Sequence, residues 1–196
     1  MKTSTRSSGG SALLEVLITI VILAFGLLGV AGLQARIFVM EFESYQRAQA
    51  VTILNDIADR VASNRDAKEA YIAASPLGGS GALADCSGMT DTARDACELG
   101  NLLKGSGERQ GNSGVGAMNA AQACISRFEA TATKAFNRCQ IGVQIDVVWR
   151  GRSPTIVPAA PCGKTGAAAG LAGPYGDTDA YRRAVSTRVG TGDVAC

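Results

Sequence analysis

The sequence has no histidine, which removes the side chain most often used as a general base and as a metal ligand. Aromatic residues make up only 5% of the chain, so a large aromatic core is not expected. The formal net charge is only +2, so the charge balance does not indicate a nucleic-acid partner. No Ser/His/Asp set, paired-carboxylate cleft or metal cluster is recognisable. We therefore predict a protein that is not an enzyme and that uses no cofactor or metal.

Six cysteines lie after the first 85 residues, and no two form a CxxC pair. They are Cys86, Cys97, Cys124, Cys139, Cys162 and Cys196. A zinc site is not expected, because neither closely spaced cysteines nor histidines are available. An even set suits a disulfide framework, which needs an oxidising compartment. Buried free thiols are the alternative.

The N-terminus begins with a short polar segment and continues into a long apolar run. Residues 1–10 carry Lys2 and Arg6, and residues 16–33 contain only one polar residue, Thr19. In a helix this run rises about 1.5 Å per residue and approaches the hydrocarbon thickness of about 30 Å. The basic residues before the run predict a cytoplasmic N-terminus and place the rest of the chain in the periplasm. This topology agrees with the disulfide prediction.

A glutamate, Glu15, stands immediately before the apolar run. An ordinary secretory signal would also show a basic start and an apolar run, but this run is longer than its usual apolar region. A carboxylate at mid-bilayer costs about 2.5–3.5 kcal/mol and less near the interface, so it is a functional candidate. A plain membrane anchor would gain by losing it. The alternative is an interfacial glutamate that is simply tolerated.

The segment Gly10-Ser11-Ala12-Leu13-Leu14-Glu15-Val16 resembles the processing motif of the type IV pilin family. The resemblance implies cleavage by prepilin peptidase between Gly10 and Ser11, N-methylation of Ser11, and Glu15 as the fifth mature residue. The family usually has Phe first and Thr or Ser second, where this chain has Ser11 and Ala12. The segment 48–67 is similar to the corresponding helix of minor pilins of the PilV type.

Cleavage at this position would create a partner for the carboxylate. Ser11 and Glu15 are four residues apart and therefore share one helical face. The new ammonium group at Ser11 would attract Glu15 strongly in a low-dielectric setting. The resemblance implies that this amine belongs to the same subunit or to a neighbour in the filament, and that the pair fixes axial register. It also implies as partners the prepilin peptidase, other minor pilins, the major pilin, and the assembly platform of the inner membrane.

The resemblance and the residue patterns together predict an α+β fold. It has a long N-terminal helix, transmembrane in its first half, and a small antiparallel β-sheet head stapled by disulfides. The predicted parts are a cleaved leader (1–10), a transmembrane and assembly half (11–35), an amphipathic periplasmic half (36–75) and the head (76–196). Apolar residues at steps of three and four predict an unbroken helix to about Ser75, where Pro76 would stop it.

Charged residues on the second half of this helix are expected to form a solvated face with weak ion pairs. They are Asp56, Asp59, Arg60 and Arg65. Within the apolar half, Gly26, Gly29 and Gly32 lower helix propensity. They would serve either close packing of membrane helices or local loosening of the helix during assembly.

The head offers several local predictions. Residues 90–103 predict a short helix capped by Thr90 or Asp91, and residues 117–130 suit either a helix or a strand. Residues 141–149 alternate as a strand, residues 180–189 alternate similarly, and residues 155–157 are a short strand candidate. The resulting antiparallel sheet would place one face on the helix. The segment GKTG at 163–166 lacks the frame of a phosphate-binding loop.

Three disulfide pairings are expected. Cys86 and Cys97 would pair because nothing else would fix so polar a segment. The other two pairings are Cys124 with Cys139 and Cys162 with Cys196, the second of which would tie down the chain end.

Three functions agree with these features. The first is a minor pilin of a type IV pilus, acting in assembly initiation or at the tip, and so in adhesion and twitching motility. The second is a minor pseudopilin of a type II secretion system, whose smaller members usually have fewer cysteines. The third is a periplasmic enzyme or binding domain on an uncleaved anchor. For the first function we expect a single-pass inner-membrane protein that later enters the pilus (fimbrium) on the cell surface.

Overall fold

A computed structural model describes most of the chain, and it divides the chain into two compact units, Met1–Phe42 and Glu43–Cys196. The described residues are 9–79, 81–111, 113–114, 116, 118–129, 138–164, 175 and 179–195. The helices are α1 (Gly9–Ser63), a 3-10 helix (Arg65–Ala67), α2 (Lys68–Ala74) and α3 (Asp91–Leu103). The strands are β1 (Leu77–Gly78), β2 (Arg109–Gln110), β3 (Ser113–Gly114), β4 (Asn119–Glu129), β5 (Arg138–Arg150) and β6 (Arg182–Ala195).

The long helix is interrupted, so the prediction of an unbroken helix to about Ser75 is wrong. α1 ends at Ser63, and the 3-10 helix separates it from α2. Asn64 lies at the break, and its side-chain amide donates to the Arg60 carbonyl at 3.4 Å and to the Tyr71 hydroxyl at 3.4 Å. An asparagine that bonds the backbone locally competes with helix continuation. Tyr71 on α2 is fully buried after this break.

Four strands form one antiparallel sheet in the order β1-β4-β5-β6, and β2 pairs with β3 separately. In register, Ile125 on β4 lies opposite Ile145 on β5, which lies opposite Thr187 on β6. The strands predicted at 141–149 and 180–189 are confirmed, with β5 and β6 longer than predicted. The open choice for 117–130 is settled as strand β4.

Residues 155–157 form no strand, so that prediction is wrong. The prolines at positions 154 and 158 lack the backbone N–H that a ladder needs. The side chains of Arg182 and Arg183 bind carbonyls on either side of this segment instead. Ile156 at its centre is 93% exposed.

The core of the second unit lies between the helices and one face of the sheet. Buried residues of α1, α2 and α3 meet alternate residues of β4 and β5, as expected for a sheet with one face covered. The central members are Leu54, Ile57, Val61, Tyr71, Leu99, Leu103, Ala123, Ile125, Val143, Ile145 and Val147. The prediction that one sheet face packs on the helix is therefore confirmed.

The predicted helix at 90–103 is confirmed as α3. Thr90 occupies the N-cap position, but its side chain makes no capping hydrogen bond. The preceding loop is fixed instead by Asn101, whose amide both accepts from the N–H and donates to the carbonyl of Ala84, each at 2.8 Å.

The structure describes two disulfides, Cys86–Cys97 and Cys124–Cys162. The first confirms its prediction. The second shows that both other pairings are wrong, because Cys124 and Cys162 bond each other. The segment after β5 returns over the sheet face opposite the helices, where Cys162 packs with Val148 and Tyr175. The side chains of Cys139 and Cys196 lie outside the described residues.

Candidate functional site

The first unit is a helical segment whose apolar side chains are uncovered. Within α1, an 18-residue window has a mean hydropathy of 2.8, and none of it is buried. Leu17, Phe25 and Leu27 are among the exposed apolar residues, at 64%, 70% and 69%. The helix is long and apolar enough to cross a membrane, although a cleaved signal sequence would meet the same criterion.

The predicted processing residues lie at the start of this helix. Gly10, Ser11 and Glu15 all fall within α1 (Gly9–Ser63), so Ser11 and Glu15 are one helical turn apart along the backbone. The side chain of Ser11 lies outside the described residues, and that of Glu15 is exposed. The only polar residue of the apolar run, Thr19, donates its hydroxyl to the carbonyl of Val16 at 2.8 Å. That bond satisfies its donor without water.

The three glycines of the apolar run are helical and open. Apart from the local helix backbone, a Cβ built on Gly26, Gly29 or Gly32 meets no atom of the described residues within 4 Å. Alanine at these positions would therefore clash with none of these atoms.

In the second unit, Arg60 joins α1 to α3, so the prediction of a solvated face is wrong for this residue. Its Nε lies 3.1 Å from Asp56, and its Nη1 lies 2.8 Å from Asp95 and 3.2 Å from Glu98. The Tyr71 hydroxyl donates to the other oxygen of Asp95 at 2.7 Å. The side chain of Arg60 is only 26% exposed. By contrast, Asp59 and Arg65 are exposed as predicted.

This network changes the acidity of its members. Burial lowers the pKa of Arg60, but the hydrogen bonds to its three carboxylate partners outweigh burial and raise it. Burial and the neighbouring Asp95 carboxylate raise the pKa of Tyr71 to about 12. Arg60 therefore stays charged, and Tyr71 stays a neutral donor, throughout the physiological pH range.

Glu43, the first residue of the second unit, anchors α1 to the segment after β5. Its Oε1 accepts hydrogen bonds from the N–H of Arg152 at 3.1 Å and from the N–H and hydroxyl of Ser153 at 3.2 and 3.0 Å. Arg183 Nη2 donates to the same oxygen at 3.2 Å. A Cβ on Gly151 would lie 2.7 Å from the Arg183 guanidinium carbon, so a side chain there would displace the guanidinium from this position.

The pKa of Glu43 follows from these contacts. Burial raises the pKa of Glu43, but the hydrogen bonds from Ser153 and Arg152 and the charge of Arg183 outweigh burial. The pKa consequently lies below its ordinary value of 4.5. Glu43 therefore binds the segment after β5 in its ionised, carboxylate form.

Arg182, which is next to Arg183 in β6, is fully buried and binds the segment after β5. Its guanidinium donates to the carbonyls of Ala160 at 2.6 Å, Cys162 at 2.9 Å and Pro158 at 3.0 Å. The Asp179 carboxylate lies 3.9 Å away. The three hydrogen bonds and the nearby carboxylate offset part of the cost of burying this charge, while Arg182 Nε makes no hydrogen bond within the described part of the chain.

The sequence-based reasoning missed Glu43, Asp95, Arg182 and Arg183 as structural anchors. One signal was available: adjacent residues of a strand point to opposite sheet faces. Two consecutive arginines in a predicted strand therefore imply that each face has polar groups to receive one.

Among the residues whose positions the structure gives, no group of three His, Cys, Asp or Glu side chains could hold a metal ion. No protein-family model matches the chain, and no curated protein or solved structure matches it.

Proposed function

We propose that this chain is a minor pilin of a type IV pilus, anchored in the inner membrane and incorporated into the filament after its leader is removed. The observation that carries the proposal is the uncovered apolar part of α1, with Glu15 at its start and Gly10 five residues earlier. A membrane anchor explains the apolar residues, but it does not explain a carboxylate in this position.

The second unit supports the proposal only through its general fold and its disulfides. Its four-stranded antiparallel sheet packs on the last part of α1, and two disulfides lie among the residues that the structure describes. Disulfides form in oxidising compartments such as the periplasm. The resemblance of residues 10–16 to the pilin processing motif supplies the link between this layout and a filament. In this proposal prepilin peptidase, the inner-membrane platform and other pilins are the partners.

The role of Glu15 is the pairing with the amine that cleavage creates on Ser11. In a membrane interior the attraction between an ammonium and a carboxylate is much stronger than in water. A subunit placed out of axial register would leave the charges unpaired, which is costly. The pair would therefore select one position for the incoming subunit.

The experiment compares Glu15→Ala with Glu41→Ala, an exposed glutamate on the same helix outside the motif. We expect both variants to insert in the membrane and to be cleaved, because neither change touches the scissile bond. Only Glu15→Ala should be depleted from sheared filaments, relative to the parent. Incorporation of Glu15→Ala at the parent level would refute the register role. A deletion strain scored for piliation and for protein secretion then separates a pilus subunit from a secretion pseudopilin.

A further inference from the structure

The sheet face opposite the helices carries a hydrogen-bonded ladder of polar side chains. In register, Gln144 on β5 lies opposite Arg188 on β6, and Asp146 lies opposite Ser186. The Ser186 hydroxyl donates to Asp146 Oδ1 at 2.6 Å, and the Gln144 amide donates to the same oxygen at 3.1 Å. Arg188 Nε then donates to Gln144 Oε1 at 3.1 Å. The ladder fixes the orientation of every member.

Asp146 is only 1% exposed, although it is a carboxylate on a sheet face away from the main core. Among the described residues, neutral groups of Ser186 and Gln144 donate hydrogen bonds to it. Burying a carboxylate is unfavourable unless its hydrogen bonds compensate. Asp146 holds the amide of Gln144 in one geometry, and the amide in turn orients Arg188.

Arg188 is held on a second side by an aromatic ring. Its guanidinium carbon lies 4.9 Å from the centroid of the Phe128 ring. The ring in turn lies against Gly142, where a Cβ would be only 2.7 Å from a ring carbon. The Nε atom and one face of the guanidinium are thus occupied. Among the described residues its two Nη atoms have no hydrogen-bond partner, so their edge is available.

This edge borders an open depression of about 580 Å³. The floor includes Gln144, Ser186 and Arg188, and the wall is formed by residues 159–161, Ala-Ala-Pro. The wall is rigidly held, because Arg182 binds the carbonyls of Pro158 and Ala160 and a disulfide fixes Cys162. Wall and floor are therefore both positioned before any ligand arrives.

We propose that this depression binds a carboxylated saccharide of the uronic-acid type. The free Nη edge of Arg188 matches a carboxylate, which it can bind with two parallel hydrogen bonds. The Ser186 hydroxyl donates its hydrogen bond to Asp146. Its oxygen can therefore accept a hydrogen bond from a sugar hydroxyl. The apolar wall of Ala159, Ala160 and Pro161 suits the apolar face of a pyranose ring.

The charges at the site favour one carboxylate over a polyanion. Asp146, which is linked to Arg188 through Gln144, offsets part of the charge of Arg188, so the site attracts sulfated polymers or nucleic acid less than an uncompensated group of arginines would. Selectivity instead comes from directed contacts with a single acidic group. This inference does not depend on the filament role, since it concerns the second unit alone.

The test is calorimetric titration of the full-length chain in detergent micelles with trigalacturonate, with a neutral galactose trimer as the matched ligand. We expect binding of the acidic trimer only, with weak dependence on salt. Arg188→Gln should weaken binding about tenfold to a hundredfold, the range for a lost charged hydrogen-bond pair. Arg150→Gln is the matched control, since Arg150 is an exposed arginine of β5 that also stacks on an aromatic ring, Tyr181 at 5.6 Å.

A second variant, Ser186→Ala, keeps the Arg188 charge but removes the acceptor and one donor of the ladder. It should weaken binding severalfold, with folding checked by thermal unfolding. Four results would each overturn the proposal: no binding of trigalacturonate, equal binding of the neutral trimer, equal loss in the Arg188 and Arg150 variants, or stronger and steeply salt-dependent binding of dextran sulfate.

Discussion

Arg60 on α1 donates a 2.8 Å hydrogen bond to Asp95 on α3, and it also binds Asp56 and Glu98. The pair connects the helix that leads from the apolar segment to the helix held by the Cys86–Cys97 disulfide. The Tyr71 hydroxyl on α2 reaches the same Asp95 carboxylate, so three helices meet at one charged cluster. This cluster links the three helices to one another.

Removing the arginine should destabilise the second unit. In Arg60→Ala the three carboxylates lose their shared cation, and we expect the free energy of unfolding to fall by about 1–2 kcal/mol, because the cluster is partly exposed. Arg65→Ala, which changes an exposed arginine of the 3-10 helix, should change the free energy of unfolding by less than about 0.5 kcal/mol. Denaturant unfolding followed by circular dichroism gives both values. Equal effects of the two substitutions would show that the cluster does not stabilise this unit.

The contacts of Glu43 with Arg152, Ser153 and Arg183 predict that stability depends on pH. Because folding lowers the pKa of Glu43 below 4.5, its contribution is complete above the unfolded pKa and is lost as pH falls through the folded pKa. Glu43→Gln should therefore be less stable than the parent at pH 6, and the difference should shrink below about pH 4. Glu108→Gln, at an exposed loop position, should leave the profile unchanged. Thermal unfolding between pH 3 and 7 measures the stability difference between the parent and Glu43→Gln. A difference that stays constant across that range would contradict the prediction.

The disulfides can be tested by mass spectrometry of protein digested without reduction. We expect linked peptides for Cys86–Cys97 and Cys124–Cys162 and no free thiols. By elimination the third bond would join Cys139 and Cys196. Replacing Cys124 and Cys162 together by serine should cost about 2–5 kcal/mol of stability. Alkylated Cys139 and Cys196 in protein from the periplasmic side would contradict the third bond and leave the first two standing.

The sequence predicted the elements whose patterns are periodic. Alternation identified β5 and β6, and three-and-four spacing identified the second half of α1, because these periods follow from backbone geometry. The break at Asn64 was missed, since asparagine is tolerated in many helices and its local hydrogen bonds depend on Tyr71.

Long-range contacts were harder to predict. The Cys124–Cys162 bond depends on how the segment after β5 folds back over the sheet, and Arg182 fixes that path from a distant strand. The Asp146 ladder likewise requires the register of β5 and β6. Neither leaves a local pattern in the sequence, because side chains that touch across strands have no fixed spacing along the chain.

We expect the glycines of the apolar run to have one of two roles, close packing of helices or local loosening of the helix. Each costs about 1 kcal/mol of helix propensity relative to alanine, so changing Gly26, Gly29 and Gly32 to alanine should stiffen the helix. No atom within the described ranges obstructs the added methyl groups. If the glycines permit close packing, the triple variant should associate more weakly in the membrane, as measured by cross-linking. If they allow loosening, association should be normal and filament assembly reduced. Parent-level association and assembly would exclude both roles.

The most direct measurement is the N-terminal sequence of the mature protein purified from the membrane, for the parent and for Gly10→Val. The pilin assignment predicts that the parent begins at Ser11 with a methylated amine, and that Gly10→Val remains uncut because the small residue at the scissile bond is lost. A parent chain that begins at Met1, or at a residue beyond Leu33, would contradict the assignment, and so would a Gly10→Val chain that still begins at Ser11.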